Sequence, residues 1–187
     1  MRTHRTRSIP LACIGLVLSI CSPLGADLGL SPEDALHNFV TASDLTVELV
    51  AAEPLVTSPC ALAFAGPHKL FVAENNGYPS DGSGLGNVVL LEDTDHDGRA
   101  DTCTVFADGF DALDGVAFHE RGVIVSAQPR LLVLNDTDGD GRADTRAELL
   151  RGVDMTDSHH GGMVATDPMG FVIFADGVFH RSQFETP

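Results

Sequence analysis

The chain has 187 residues, of which 43% are hydrophobic and 20% are charged. These proportions exclude a disordered tail or a collagen-like repeat, and the length is sufficient for a buried core. The 27 acidic residues outnumber the 11 basic residues and give a formal net charge of −16 at pH 7. This balance argues against nucleic acid and anionic membrane as partners, because a phosphate-rich surface is bound by clustered lysine and arginine. The excess of acidic residues favours bound cations instead.

The first 26 residues have the pattern of an export signal. A basic stretch over residues 2–7 precedes an apolar run from Ile9 to Ile20, and this run is too short to span a bilayer, which requires about 20 residues. We predict cleavage near Ala26, no membrane span after cleavage, and a periplasmic or cell-surface location. Lipid attachment at Cys21 is the alternative.

Two of the four cysteines, Cys60 and Cys103, lie in the predicted mature chain. Export would permit a disulfide between them. Two buried free thiols are an equal alternative, because the sequence does not give the distance between the two residues.

After the leader, the sequence predicts one short helix followed by β-structure. Ser31 is a helix N-cap type, Pro32 suits the first helical position, and the two acids that follow suit the positive end of the helix dipole, so we expect a helix to about Val40. From Leu45 onward, apolar residues alternate with polar ones, which indicates strands. The predicted strands cover residues 45–49, 62–64, 70–72, 88–91, 116–118, 123–125, 131–134 and 171–174. Their short connections leave no room for crossover helices, so the sheets are expected to be antiparallel.

An internal repeat indicates the fold. The segment VLLEDTDHDGRADT at 89–102 recurs as LVLNDTDGDGRADT at 132–145, a shift of 43 residues. A pair of short strands precedes each copy, and a third such pair lies at 164–174. Periods of about 40–50 residues with several strands each are typical of β-propeller blades. We therefore predict an all-β protein, with a signal peptide over 1–26, a helix and lead-in strand over 27–58, and an incomplete β-propeller of about three blades over 59–187.

Each copy of the repeat contains the pattern Asp-x-Asp-x-Asp-Gly-x-x-Asp. Carboxylates at alternate positions of a tight loop converge on one point, and the residue after the glycine can offer its carbonyl; Ca²⁺ prefers such oxygen ligands. We predict two structural calcium sites, but not EF-hands, because Thr104 and Ala147 replace the final Glu and the flanks are strands. A pair of solvated acidic turns is the alternative. The predicted ligands are Asp93, Asp95, Asp97, Arg99 and Asp101, and then Asp136, Asp138, Asp140, Arg142 and Asp144.

A second dense segment, DSHHGG at 157–162, precedes a predicted strand. In a loop before the first strand of a blade, His159 or His160 can point into the central channel, where propeller ligands bind. A neutral imidazole there could accept the proton of a substrate hydroxyl while hydride leaves the same carbon. The alternatives are a histidine hydrogen-bonded to a carbonyl and a histidine pair on a transition metal.

Several segments together carry a resemblance to a known family. They are ELVAAEPLV at 48–56, FVAE at 71–74, GYP at 77–79, the first Asp-rich repeat with TVFADG at 104–109, DSHH at 157–160 and FHRSQFETP at 179–187. The chain resembles the N-terminal part of the "membrane-bound dehydrogenase" propellers of planctomycetes and verrucomicrobia, which are similar to soluble quinoprotein glucose/sorbosone dehydrogenases. The resemblance implies a six-bladed propeller that oxidises a sugar or alcohol with pyrroloquinoline quinone (PQQ). It also implies a periplasmic electron acceptor such as a cytochrome c.

The resemblance implies roles for individual residues. His159, with the two glycines after it and Pro168, matches the spacing around the catalytic base, and His160 could equally hold that role. Glu74 would face the channel and contact cofactor or substrate. The basic residues that bind the quinone and the cofactor's calcium lie in later blades and have no match here, so this chain alone is expected to be inactive. The alternatives are a non-catalytic carbohydrate- or protein-binding propeller and an inactive truncated gene product.

Overall fold

The structure is a computed structural model that describes residues 29–78, 84–153, 162–177, 183, 185 and 186. Within these residues, the chain forms one short helix and ten strands. The elements are α1 (Pro32–Leu36), β1 (Pro59–Phe64), β2 (Lys69–Glu74), β3 (Gly86–Glu92), β4 (Thr102–Phe110), β5 (Ala112–His119), β6 (Gly122–Gln128), β7 (Arg130–Asn135), β8 (Thr145–Arg151), β9 (Gly162–Thr166) and β10 (Val172–Asp176). The predicted signal peptide lies outside the described residues.

The helix is shorter than the sequence predicts. Ser31 caps it as expected, since its Oγ accepts a hydrogen bond of 3.0 Å from the backbone N–H of Asp34. The helix ends at Leu36 rather than near Val40. Phe39 and Val40 are 60% and 98% exposed, so no apolar contact extends it, and a helix of this length depends on such contacts.

The strands form antiparallel sheets in which neighbours in sequence are neighbours in space. One four-stranded sheet has the order β1-β2-β3-β4, a second has the order β5-β6-β7-β8, and β9 pairs with β10. The prediction of an all-β protein with antiparallel sheets is therefore confirmed. The first and second four-stranded sheets are called sheet 1 and sheet 2 below, and the β9–β10 pair is called sheet 3.

The sequence pattern failed to predict two strands, β4 and β8, and predicted one, over residues 45–49, that is not formed. β4 and β8 are the outer strands of their sheets, and exposed polar residues interrupt their apolar alternation. Residues 45–49 form no strand, because no neighbouring strand among the described residues pairs with them. Instead, the carbonyl of Val50 accepts a 2.8 Å hydrogen bond from the backbone N–H of Ala100.

The sheets stack face to face in chain order, and the core lies between them. Alternate residues of a strand point to opposite faces, so each sheet contributes one apolar face to each neighbour. Between sheets 1 and 2 the buried residues include Phe71, Ala73, Val88 and Leu90 from sheet 1, and Val116, Val123, Val125, Leu132 and Leu134 from sheet 2. Between sheets 2 and 3 they include Ala117, Ile124, Leu131, Val133 and Val164, with Phe174 packed against them.

The first strands of the three sheets, β1, β5 and β9, contact one another along the stack. The contacts of β9 with β5 and β6 are close enough to favour glycine at two positions. A Cβ added to Gly115 would collide with the carbonyl oxygen of Gly162, and one added to Gly162 would collide with the Ser126 hydroxyl. The absence of these two side chains therefore sets the spacing between sheets 2 and 3.

Candidate metal centres

The two Asp-rich loops connect the third and fourth strands of sheets 1 and 2. In the first loop, the carboxylates of Asp93, Asp95 and Asp101 each place one oxygen within 4.8 Å of the others. In the second loop, Asp136, Asp138 and Asp144 do the same. These residues are the first, third and ninth of the repeated pattern, so the two loops converge in the same way.

The last aspartate of each loop is fixed by the threonine near its start. Asp101 Oδ2 accepts hydrogen bonds of 2.7 Å from both the backbone N–H and the hydroxyl of Thr94. Asp144 Oδ2 accepts the two equivalent bonds from Thr137, each 2.6 Å long. Each loop is thereby closed at its base, which holds the ninth position close to the first.

The middle aspartates, Asp97 and Asp140, lie outside the two carboxylate groups. Asp97 Oδ1 accepts a 2.8 Å hydrogen bond from the backbone N–H of Arg99, and Asp140 Oδ1 accepts the same bond from Arg142. The sequence predicts these four residues as ligands, whereas the described carboxylate groups contain neither Asp97 nor Asp140. The Arg99 guanidinium lies 3.5 Å from a carboxylate oxygen of Glu33, outside the loop.

Hydrogen bonds lower the pKa of the first and the last aspartate of each loop. Hydrogen bonds from Thr94 and Thr137, through both hydroxyl and backbone, lower the pKa of Asp101 and Asp144. The backbone N–H of Gly141 is the main cause that lowers the pKa of Asp136. Desolvation opposes ionisation of Asp93, but hydrogen bonds from the His68 ring and from the backbone outweigh it, so its pKa is also lowered.

Carboxylates that lie within a few ångströms of one another repel when they carry charge, and a cation placed among them removes that repulsion. The donor set consists of hard oxygen atoms on a flexible loop, which matches the preference of Ca²⁺ for oxygen ligands in irregular geometry. The two groups contain no thiolate and no imidazole. Beside the first loop, the His68 ring hydrogen-bonds to Asp93 and stacks on the ring of His96, with 3.8 Å between the ring centroids. The residues present therefore fit Ca²⁺ better than a softer transition metal.

Both loops also dock on the element that precedes their own sheet. In the second loop, the backbone N–H of Ala143 donates a 2.8 Å hydrogen bond to the carbonyl of Phe106 in β4, and Arg142 Nη1 donates a 3.4 Å bond to that of Val105. In the first loop, Ala100 donates the equivalent backbone bond to Val50. The Val50 segment thus takes the place that the outer strand of a preceding sheet would have.

Of the predicted catalytic and cofactor-binding residues, His159 and His160 lie outside the described residues. Glu74 is at the end of β2 and is 5% exposed. Its Oε1 accepts a 2.7 Å hydrogen bond from the backbone N–H of Thr57, and its Oε2 accepts a 3.3 Å bond from the Asn76 amide. The carboxylate therefore ties the segment before β1 to the end of β2.

A buried polar cluster, which the sequence reading missed, lies between the ends of β5, β6 and β9. Gln128 Nε2 donates a 2.9 Å hydrogen bond to Asp114 Oδ2. Ser126 is completely buried, and its hydroxyl has no hydrogen-bond partner among the described residues. The alternation of polar residues at the end of β6 was a usable signal, but their convergence with Asp114 depends on strand pairing.

Both cysteines of the described chain are free thiols. Cys60 lies on β1 and Cys103 on β4, the two edges of sheet 1, so the strands between them hold them well beyond the roughly 7 Å limit for a disulfide. Although Cys60 as a residue is exposed, its Sγ lies 3.0 Å from the carbonyl of Leu113. Burial of the sulfur, and then the negative charge of Asp114, raise the pKa of the Cys60 thiol to about 11.

The fold and the loops define the class: an antiparallel β-sheet domain with stacked sheets and two acidic loops. The chain belongs to the family described as "Domain of unknown function (DUF7133)", whose model matches residues 31–174. Comparison with curated proteins and with solved structures gave no match. Among the described residues, no helix has the length and apolar character needed to cross a membrane.

Proposed function

We propose that the chain is a calcium-stabilised portion of a β-propeller, in which each Asp-rich loop binds one Ca²⁺. The observation that carries this proposal is the identical convergence of three carboxylates in both loops. In both loops the threonine after the first aspartate also donates two hydrogen bonds to the ninth-position carboxylate, which holds that carboxylate beside the other two. Two copies of one ligand arrangement are what a repeated metal site requires.

The proposed role of the metal is structural. Each loop docks through one backbone hydrogen bond on the preceding element, at Val50 or at Phe106. Without a cation, the repulsion among the three carboxylates opposes the closed conformation that presents this N–H. A bound Ca²⁺ would stabilise the closed loop and with it the contact between consecutive sheets.

The stacking of the sheets supports the propeller part of the proposal. The two four-stranded sheets are antiparallel meanders that follow one another along the chain, and their Asp-rich segments recur with a shift of 43 residues. Their first strands are adjacent, and each sheet packs one face on the next. Radial repetition of such four-stranded sheets is the construction principle of a propeller.

Thermal unfolding with and without Ca²⁺ tests this function. Because a ligand that binds only the folded state stabilises it, Ca²⁺ should raise the melting temperature relative to a chelator. The combined variant Asp95→Asn and Asp138→Asn should lose this rise. Asp44→Asn is the matched control, since it removes one exposed carboxylate outside both loops and should leave the rise intact. An equal rise in the double variant, or none in the unmodified chain, would reject the calcium proposal.

A second candidate function is oxidation of a sugar or alcohol, which the resemblance to the quinoprotein dehydrogenases favours. One observation is consistent with it: the end of the His-His-Gly-Gly segment, at Gly162, lies against Ser126 and Asp114, at the edge of the buried polar cluster. His159 or His160 would serve as the base, and Glu74 as a contact to cofactor or substrate. This chain lacks the basic residues that would hold PQQ, so no step is assigned to the quinone here.

The dehydrogenase proposal is testable in a longer relative with the same segment. Alanine at the position equivalent to His159 should reduce turnover at least about a hundredfold if that residue is the base. A loss only on replacement of the His160 equivalent would assign the role to the second histidine. Unchanged turnover in both would show that neither histidine is the base. Absence of turnover in the unmodified relative would favour a binding module for carbohydrate or protein over an enzyme.

A further inference from the structure

The stack of sheets has an apolar face at each end that no described residue covers. The front face consists of Leu62 and Phe64 on β1, which are 60% and 65% exposed. The back face consists of Met163 on β9 and Ile173 on β10, which are 72% and 56% exposed. Large exposed apolar side chains that cluster on one face mark sites of association.

The front face continues an interface that is already formed within the chain. Leu62 pairs with Val72, and Phe64 pairs with Leu70, so all four side chains lie on one face of sheet 1. The segment around Leu55 and residue 56 covers Leu70 and Val72, which are 9% and 3% exposed. It leaves Leu62 and Phe64 open, and the interface is therefore only partly covered.

The same pairing pattern occurs in all three sheets, and it shows what covers a front face. Leu62 corresponds to Val116 on β5 and to Val164 on β9, because each is paired with the equivalent residue of the next strand. Val116 is 3% exposed and Val164 is 9% exposed, whereas Leu62 is 60% exposed. In both buried cases, the covering surface is the back face of the preceding sheet.

The back face repeats in the same way. Ile173 corresponds to Phe71 on β2 and to Ile124 on β6, since each pairs with the alanine at the centre of the first strand. Phe71 and Ile124 are 6% and 2% exposed, because each packs on the front face of the following sheet. Ile173 is the one member of this series that is open.

We propose that the front face of one copy of this chain binds the back face of a second copy. The contact would be head to tail. On the part of the front face that the segment around Leu55 leaves open, it would repeat the packing that joins sheet 1 to sheet 2 and sheet 2 to sheet 3. A heterologous contact of this kind either closes into a ring or continues as a chain of copies. The apolar contact must overcome repulsion between copies that each carry a net charge of −16, so added salt should strengthen association.

Complementary variants test the head-to-tail arrangement directly. Leu62→Asp blocks the front face and leaves the back face intact, whereas Ile173→Asp does the reverse. Each variant alone should be a monomer in sedimentation velocity at concentrations where the unmodified chain associates. A mixture of the two should form a one-to-one dimer through the remaining intact pair of faces. Val40→Asp, at a position that is 98% exposed and outside both faces, should associate like the unmodified chain.

Circular dichroism and cooperative melting establish that each variant is folded before its association is interpreted. An unmodified chain that is monomeric at all accessible concentrations would overturn the proposal and leave the faces to a different occupant. Association that survives either Asp substitution would overturn it as well. Homodimers of either single variant would show that a face binds its own kind, and failure of the mixture to form dimers would contradict the head-to-tail pairing directly. These outcomes do not depend on whether the loops bind Ca²⁺, so they are separable from a failure of the proposed function.

Discussion

Replacement of Gly115 by alanine tests the contact between sheets 2 and 3. The new Cβ would collide with the carbonyl oxygen of Gly162 and would lie 3.0 Å from the backbone nitrogen of Val164. Both are backbone atoms of β9, so no rotation of a side chain can relieve the clash. The strands β5 and β9 must separate, and the apolar contact between the sheets must loosen with them.

The magnitude follows from two opposing effects. Overpacking of a formed interface costs about 1–3 kcal/mol, while replacement of a strand glycine by alanine recovers about 0.5–1 kcal/mol through the lower entropy of the unfolded chain. We expect a net loss of about 1–2 kcal/mol in the free energy of unfolding. For a domain of this size, that corresponds to a fall of about 2–8 °C in melting temperature.

Urea denaturation measures this loss, with Gly29→Ala as the matched control. A Cβ at Gly29 has no other heavy atom within 4 Å, so the control should be as stable as the unmodified chain. The midpoint for Gly115→Ala should fall without a change in the denaturant slope. A Gly115→Ala protein as stable as the control would refute the close packing of β5 against β9, and with it the stacking of sheet 3 on sheet 2.

Three further predictions concern polar and ionisable side chains. Ser126→Ala should leave the free energy of unfolding in chemical denaturation unchanged or raise it by about 1 kcal/mol, because it removes a buried hydroxyl without a described partner. A clear loss of unfolding free energy would show that the hydroxyl has a partner. The Cys60 thiol has a raised pKa of about 11 and is therefore protonated at pH 8. It should react with maleimide at least about tenfold more slowly in the folded chain than in urea, as followed by peptide mass spectrometry. Equal rates would contradict the burial of its sulfur. The pKa values of Asp101 and Asp144 are lowered in the folded chain. The contribution of these two groups to stability is therefore fully present above the ordinary Asp pKa of about 4, and it is lost as the pH falls through the lower folded values. Metal-free urea denaturation should therefore show no loss from these groups between about pH 7 and 5, and a loss that begins within this window would contradict the hydrogen-bond assignments.

Four of the strands that the sequence predicts correctly, β2, β3, β6 and β7, are largely buried on both faces. Val123, Val125, Leu132 and Leu134 alternate or run together because the neighbouring sheets cover them. The sequence pattern does not predict β4 and β8, because they are outer strands whose exposed positions carry polar residues. Residues 45–49 show the opposite failure, since alternation reports amphipathic character and not the presence of a partner strand.

The candidate site was predictable where spacing alone determines geometry. The first, third and ninth positions of the loop converge as their spacing suggests. The carboxylates of the fifth position, Asp97 and Asp140, are not in these groups. A turn bond does not explain this, because Asp95 and Asp138 also accept a hydrogen bond from the backbone N–H two residues later. Where each carboxylate lies depends on backbone angles that the sequence does not specify, such as the φ of +93° and +83° at the glycines after the fifth position.

The number of calcium ions bound per chain tests the central claim most directly. Isothermal titration of the metal-free protein with Ca²⁺ should give a stoichiometry of two. Asp95→Asn should remove the site in the first loop and leave one, and so should Asp138→Asn in the second loop, while the two together should leave none. A stoichiometry of zero for the unmodified chain, or of two for the double variant, would contradict the assignment of the Asp-rich loops as calcium sites.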